Sequence, residues 1–242
     1  MDKLENQIAV ITGASSGIGK AIALGLAAQG VGLCLIGRNL LTLNTVAESA
    51  QPTSSLIKTY QVDLDVDEDI QNLKLYLQQD FGYIDMLIHS AGAISLGMLK
   101  DAKVEDFDLQ YRINVRAPYL LTQELLPMIQ SRHGQIVFIN SSAGLKANAN
   151  VGQYSATKCA LKAIADSLRE EVNAQGIRVL TVYPGRTATP MQAIVHEVEA
   201  KVYQPEKLMQ PEDVAEVVVN ALSLPRTAEV TDINIRPLNK IQ

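Results

Sequence analysis

Short, nearly uninterrupted apolar runs rich in Val, Ile and Leu recur along the chain at 7–12, 31–37, 56–64, 86–92, 135–141, 177–184 and 230–237. Runs of this length and composition predict strands. Between most of them lie longer stretches whose apolar residues return every three or four positions. One of these, GIGKAIALGLAAQG (17–30), predicts a helix closed by Gly30. Strand and helix in alternation predict an α/β domain, a doubly wound parallel sheet of about seven strands with helices on both faces. The runs show little polar alternation, as strands buried on both sides require. In such a sheet ligands bind beyond the carboxyl ends of the strands, so the residues following each run are the ones to weigh for function.

Composition narrows the partners. The 242 residues suffice for one large core that buries about three quarters of the unfolded surface. No repeat, low-complexity tract or linker divides them, so a single domain over 1–242 is expected. Hydrophobic residues at 47% and charged residues at 19% are ordinary for a soluble globular chain. The net charge of −5 is mild and no Lys/Arg stripe is present, which disfavours nucleic acid and membrane surfaces and leaves small molecules as partners. No run of about 18 apolar residues occurs, and the acidic opening MDKLENQIAV lacks a secretory pattern. The two cysteines, Cys34 and Cys159, sit in apolar stretches and are expected as buried free thiols, which with the rest points to a cytoplasmic location.

Candidate chemistry begins with TGASSGIGKA (12–21), placed where backbone N–H groups and a helix dipole can meet an anion. A P-loop would need glycine at 14 and Ser or Thr at 21, and the chain has Ala14 and Ala21, which removes the triphosphate chemistry of that loop. Gly13, Gly17 and Gly19 also miss the GxGxxG fingerprint, being two residues too far apart at the first interval. Lys20 reads as a solvated helix charge. Tyr154 and Lys158 are spaced i, i+4 on a predicted helix, about 6 Å apart at Cβ. A neighbouring ammonium is expected to lower the tyrosine from its ordinary pKa of about 10 toward the working range of a general acid or base. Ser141 ends the fifth run, thirteen residues before Tyr154. Pro118 has no N–H to offer the carbonyl of Asn114, leaving a free acceptor within a helix. The second run ends in Gly37-Arg38, with no carboxylate for adenosine ribose hydroxyls but a guanidinium fork suited to phosphate. Asp65 is expected to cap the third helix.

The spacing TGxxxGxG, the serine ahead of YxxxK and the segment YPGRTATPM (183–191) resemble the short-chain dehydrogenase/reductase superfamily over most of the chain. The resemblance implies a Rossmann-like fold and an oxidoreductase that passes a hydride between a nicotinamide dinucleotide and a carbonyl or secondary alcohol. It implies a catalytic set of Asn114, Ser141, Tyr154 and Lys158. Tyr154 would exchange the proton, Ser141 hold the substrate oxygen and Lys158 bind the nicotinamide ribose, while a water at the Asn114 carbonyl links the lysine to solvent. Gly13, Ser15, Ser16, Gly17, Ile18 and Gly19 would carry the pyrophosphate, Asp63 the adenine, and Ala91 and Gly92 the nicotinamide ribose. Pro184, Gly185, Thr187 and Thr189 would line the nicotinamide. With Arg38 in place of the usual acid, NADP(H) is favoured over NAD(H).

Some positions depart from the family pattern. HSAG (89–92) stands where NNAG is usual, so the asparagine brace is in question and His89 is expected to be structural. Arg186 has no assignment. The substrate pocket is expected between Ile94, Ser95 and Leu96, the stretch 145–153, and a substrate loop at about 186–205. Few aromatics occur there, which points to a small or medium aliphatic substrate of the 3-oxoacyl or 3-hydroxy acid type. Three histidines and two cysteines show no ligand spacing, so no metal is expected. The family usually forms homodimers or homotetramers. A second reading, a catalytically silent NADP(H)-binding sensor or scaffold on the same fold, needs only the cofactor half, and the complete catalytic set argues against it.

Overall fold

The computed structural model describes residues 4–54 and 56–238. Each predicted run holds one strand: β1 (Ile8–Thr12), β2 (Gly32–Gly37), β3 (Ile57–Gln61), β4 (Met86–His89), β5 (Gln135–Ile139), β6 (Arg178–Pro184) and β7 (Asp232–Ile235). They form one sheet in the order β3-β2-β1-β4-β5-β6-β7, parallel at every pairing. The chain therefore reverses its direction of winding at β1, between β2 and β4, the crevice where such sheets take their ligands. Each strand is shorter than its run; after β4 the residues beyond the ladder, Ser90 and Ala91, turn their N–H groups to the Thr12 hydroxyl.

Side chains of successive strand residues point to opposite faces, and two cores result. Ala9, Ile11, Leu33, Leu35, Ile88 and Val182 pack under α1 (Gly17–Ala27), α2 (Leu40–Ala50) and α8 (Pro211–Leu222). Ile8, Val10, Cys34, Ile36, Leu87 and Phe138 pack under α3 (Asp67–Asp80), α5 (Ala117–Gln130) and α6 (Gly152–Val172). Two further helices, α4 (Val104–Tyr111) and α7 (Pro190–Val198), lie in the connections that leave the carboxyl ends of β4 and β6.

Two expectations need correction. Asp65 does not cap α3: the helix starts at Asp67 with Val66 at the cap and no side-chain cap bond. The Asp65 carboxylate instead pairs with Arg112, a stronger partner than a backbone N–H, and Asp67 pairs in the same way with Arg116. Cys34 is buried, but Cys159 is exposed. It lies on the outer side of α6, where Tyr154, Lys158 and Leu161 take the buried side, and its thiol reaches the Gly144 carbonyl at 3.3 Å.

Candidate active site

The glycine loop is tight enough to exclude side chains. Gly13 sits at φ +66°, and a Cβ there would stand 2.8 Å from the Ala91 Cα. A Cβ on Gly19 would stand 2.5 Å from the Gly13 carbonyl oxygen. Ser16 precedes α1 without its side chain capping the helix, so the first-turn N–H groups are not taken by a hydroxyl. Ile18 buries its side chain against the core, leaving its backbone for the loop. The result is a flush cradle of backbone donors at a helix N-terminus, which fits a pyrophosphate. Thr12, which the sequence reading passed over, ties this cradle to the next strand. Its hydroxyl oxygen accepts from the N–H groups of Ser90 and Ala91, both at 3.1 Å, and donates to the Ile88 carbonyl at 3.4 Å.

Asn114 is fully buried in a π-helical turn, Arg112–Arg116, between α4 and α5. The Ala117 N–H reaches back five residues to the Arg112 carbonyl, and Pro118 supplies no donor for the next one, so the helix widens where the sequence predicted a free acceptor. The Asn114 carboxamide pairs with a whole peptide unit, accepting from the Ala93 N–H and donating to the Ala93 carbonyl, each at 2.8 Å. It also donates to the Thr157 hydroxyl at 3.0 Å, and that hydroxyl donates to the Tyr154 carbonyl at 2.8 Å. Asn114 thereby joins the loop after β4 to the helix that carries Tyr154 and Lys158.

The end of β5 engages the same helix through three successive residues. The Ile139 carbonyl accepts from Lys158 Nζ at 3.1 Å. Asn140, buried and absent from the sequence-based candidates, accepts from the Ser141 N–H at 2.8 Å and donates to the Lys158 carbonyl at 3.0 Å. Ser141 caps a short 3-10 turn, its Oγ accepting from Ala143 at 3.1 Å, and its side chain lies near enough to the Tyr154 phenol to lower that group's pKa. Ser142, the next residue, is exposed. A Cβ on Gly144 would stand 2.6 Å from Asn140 Oδ1, so glycine is what lets this turn close on α6.

Tyr154 and Lys158 are both buried, at 8% and 3% exposure, and Lys158 Nζ lies 5.7 Å from the centre of the tyrosine ring. The expected lowering of the tyrosine pKa is not found. Burial pushes Tyr154 up to about 12 against the lowering effect of the Ser141 side chain. Burial also brings Lys158 down to about 8. Desolvation disfavours the charged form of each group, and it outweighs an ammonium that has given its nearest contact to a backbone carbonyl. The phenol is therefore held as the acid at neutral pH.

His89 is structural, as expected. Its Nε2 lies 2.8 Å from the Thr122 hydroxyl, its ring stacks on Phe138 at 4.8 Å, and burial lowers its pKa to about 3, so it is neutral. It braces β4 to α5 and β5. Arg38 is exposed just past β2, and no side chain among the described residues pairs with its guanidinium. Its carbonyl accepts from Gln61 at 3.1 Å, and Asn39 caps α2 at 3.0 and 3.2 Å, so the backbone that presents it is fixed. Asp63 is half-buried and accepts from the Asp65 N–H at 3.0 Å.

Beyond the buried Pro184, the Gly185 N–H donates to the Ile235 carbonyl at 2.8 Å. The buried Thr187 turns its hydroxyl to the Gly185 carbonyl at 3.1 Å. Thr189 caps α7, accepting from the Gln192 N–H at 3.2 Å, and its methyl stands 3.1 Å from where a Gly17 Cβ would be. A Cβ on Gly92 would meet Asn114 Oδ1 at 3.4 Å, Met191 Cε at 3.8 Å and Lys158 Nζ at 3.9 Å. The first turn of α7 thus lies against both the glycine loop and Gly92. Met191 stood beside Thr189 in the quoted segment, but nothing in its type marked it for this place. Arg186 Nη2 lies 2.6 and 2.9 Å from the two carboxylate oxygens of Glu199, and the guanidinium holds that carboxyl below its usual range.

Comparison with known proteins agrees with this architecture. A family model described as short chain dehydrogenase matches residues 7–200. The chain is 33% identical to an uncharacterized oxidoreductase of Staphylococcus epidermidis, over 98% of this chain and all 100% of that one. An alcohol dehydrogenase from the archaeon Thermococcus sibiricus, solved with 5-hydroxy-NADP, superposes with a TM-score of 0.89 at 25% identity, covering 98% of this chain and 99% of its own. The L-sorbose reductase of Gluconobacter frateurii, solved with NADPH and L-sorbose, gives a TM-score of 0.86 at 26% identity and 97% coverage of each chain. With its seven-stranded parallel sheet and a match spanning most of its length, the chain belongs to the short-chain dehydrogenase family and is an oxidoreductase of that type.

Proposed function

We propose that the protein is an NADP(H)-dependent oxidoreductase interconverting a small or medium aliphatic carbonyl, of the 3-oxoacyl or 3-hydroxy acid type, with its secondary alcohol. The observation that carries this reading is the convergence of Asn114, Ser141, Tyr154 and Lys158 beside a glycine cradle at the carboxyl edge of the sheet. The cradle from Gly13 to Gly19 would hold the pyrophosphate, Asp63 the adenine edge, and Ala91, Gly92 and Lys158 the nicotinamide ribose. Pro184, Gly185, Thr187 and Thr189 would line the nicotinamide. Arg38 is free to pair with a 2′-phosphate, and both solved proteins named above carry NADP-type cofactors, which supports the same preference.

When bound, the nicotinamide supplies or takes the hydride. In the reducing direction Ser141 donates a hydrogen bond to the carbonyl oxygen and Tyr154, protonated at neutral pH, gives that oxygen its proton. The pull of both donors develops as negative charge gathers on the oxygen, which is where it lowers the barrier. The phenolate left behind would sit beside the Lys158 ammonium, whose Nζ lies 5.7 Å from the ring centre, and would regain its proton from solvent through the lysine and a water held at the Asn114 carbonyl. Direct titration with both cofactors tests the reading: NADPH should bind at least tenfold more tightly than NADH, and Arg38→Ala should narrow the gap. Equal affinities in the parent protein would sink the cofactor assignment.

A further inference from the structure

Arg186, in the YPGRTATPM segment, is a charged residue that neither the sequence reading nor the catalytic set explains. It follows β6 directly, at the root of the loop that carries α7, and its guanidinium reaches across to Glu199 at the far end of that helix. The pair is partly shielded, the side chains being 34% and 25% exposed, and Lys201 adds a second cation 3.5 Å from the same carboxylate. The root itself is pinned by the backbone, with the Ala188 N–H donating to the Met209 carbonyl at 2.8 Å and the Met209 N–H to the Arg186 carbonyl at 3.3 Å. Arg186 therefore stands on a base fixed by the backbone and ties it to the C-terminal end of the loop's helix.

What that helix covers gives the pair its meaning. Its first turn places the Thr189 methyl over Gly17 and the Met191 terminal methyl over Gly92, whose other neighbours are Asn114 and Lys158. A dinucleotide lying along the glycine loop toward Lys158 would be roofed at pyrophosphate and ribose by these two residues, and it could not leave unless α7 lifted. We propose that the Arg186–Glu199 ion pair is a latch that holds α7 over the cofactor seat, making both residues positioning residues for cofactor retention that act through Thr189 and Met191. This rests on the reading of the site as an NADP(H) site. An ion pair between the two ends of a short loop narrows the open ensemble without touching the ligand, so its loss appears in the dissociation rate.

The test is a double-mutant cycle read by stopped-flow displacement of NADPH from the parent, Arg186→Gln, Glu199→Gln and the double variant. Each single change should speed NADPH dissociation at least fivefold, and the double should be no faster than the faster single, because one shared interaction is lost in all three. Hydrogen exchange over 190–199, measured on the protein without cofactor, should rise in the same variants while exchange in β1 and β5 stays at the parent level. Dissociation at the parent rate in both singles, or effects that multiply in the double, would overturn the latch. Failure of the parent to bind NADPH would overturn the cofactor reading and the latch together, so the two failures are told apart by the parent alone.

Discussion

Burial acts on Tyr154 and Lys158 in opposite directions on the pH scale, and both shifts favour the uncharged forms. For Lys158 the consequence is measurable. With its pKa brought down to about 8, the side chain is an ammonium below that pH and an amine above it. Only the ammonium offers its full set of donors and a charge to an anionic dinucleotide. NADPH affinity should therefore fall as pH rises through about 8, and Lys158→Met should bind more weakly with a flatter profile; titration of the dissociation constant at a series of pH values checks both. The tyrosine, the lysine and their separation were legible in the sequence, since i, i+4 spacing fixes a shared helix face. The direction of the tyrosine's shift was not, because desolvation depends on what covers the ring, and that cover comes from other segments. Asn140 was hidden for a similar reason: it reads as an ordinary polar residue at a strand end until α6 is folded against it.

At the scale of elements, the local devices that can be read from short spacings reappear intact. The glycine loop is one. Gly19→Ala would drive a methyl to 2.5 Å from the Gly13 carbonyl, so thermal unfolding should show a loss of about 1–3 kcal/mol and cofactor binding should go with it. Pro118 marked the helix at Asn114 as irregular, and the form the irregularity takes, a π-helical turn over Arg112–Arg116, came only with the structure. Pro118→Ala would restore an N–H that can compete for the Asn114 carbonyl proposed to hold the water. Turnover should fall about five- to tenfold, the worth of about 1 kcal/mol for one competing hydrogen bond, with the melting temperature little changed. Turnover equal to the parent's would show that the free carbonyl has no part in the reaction. What short spacings could not show was pairing at long range. Asp65 looked like a cap because its helix follows immediately, yet Arg112, 47 residues onward, claims the carboxylate. The link from Arg186 to Glu199 and the seat of Met191 over Gly92 belong to the same class of contact.

For the whole molecule, strand and helix alternation sufficed to give the layers, while the order of strands, which no local spacing encodes, came with the structure. The replacement of the asparagine brace by His89 has a global consequence. Its pKa in the folded protein is held near about 3 by burial, below an unfolded value of about 6.5. A depressed value means that stability is fully present above the unfolded pKa and is lost as pH falls through the window between the two. Denaturant unfolding at pH 7 and pH 5 should differ by about 2 kcal/mol through this residue, and His89→Gln, which can still meet Thr122, should remove that part of the acid sensitivity.

The proposed chemistry depends on Tyr154 as the proton donor beside a bound nicotinamide. The most direct measurement is NADPH oxidation across a panel of aliphatic ketones and 3-oxoacyl compounds, run with the parent protein and Tyr154→Phe side by side. The parent should oxidise NADPH with at least one member of the panel, while the variant binds NADPH with little change and turns over at least a thousandfold more slowly, on the order expected for losing a general acid. Full activity in the variant would contradict the mechanism, and no turnover by the parent with any member would contradict the proposed function.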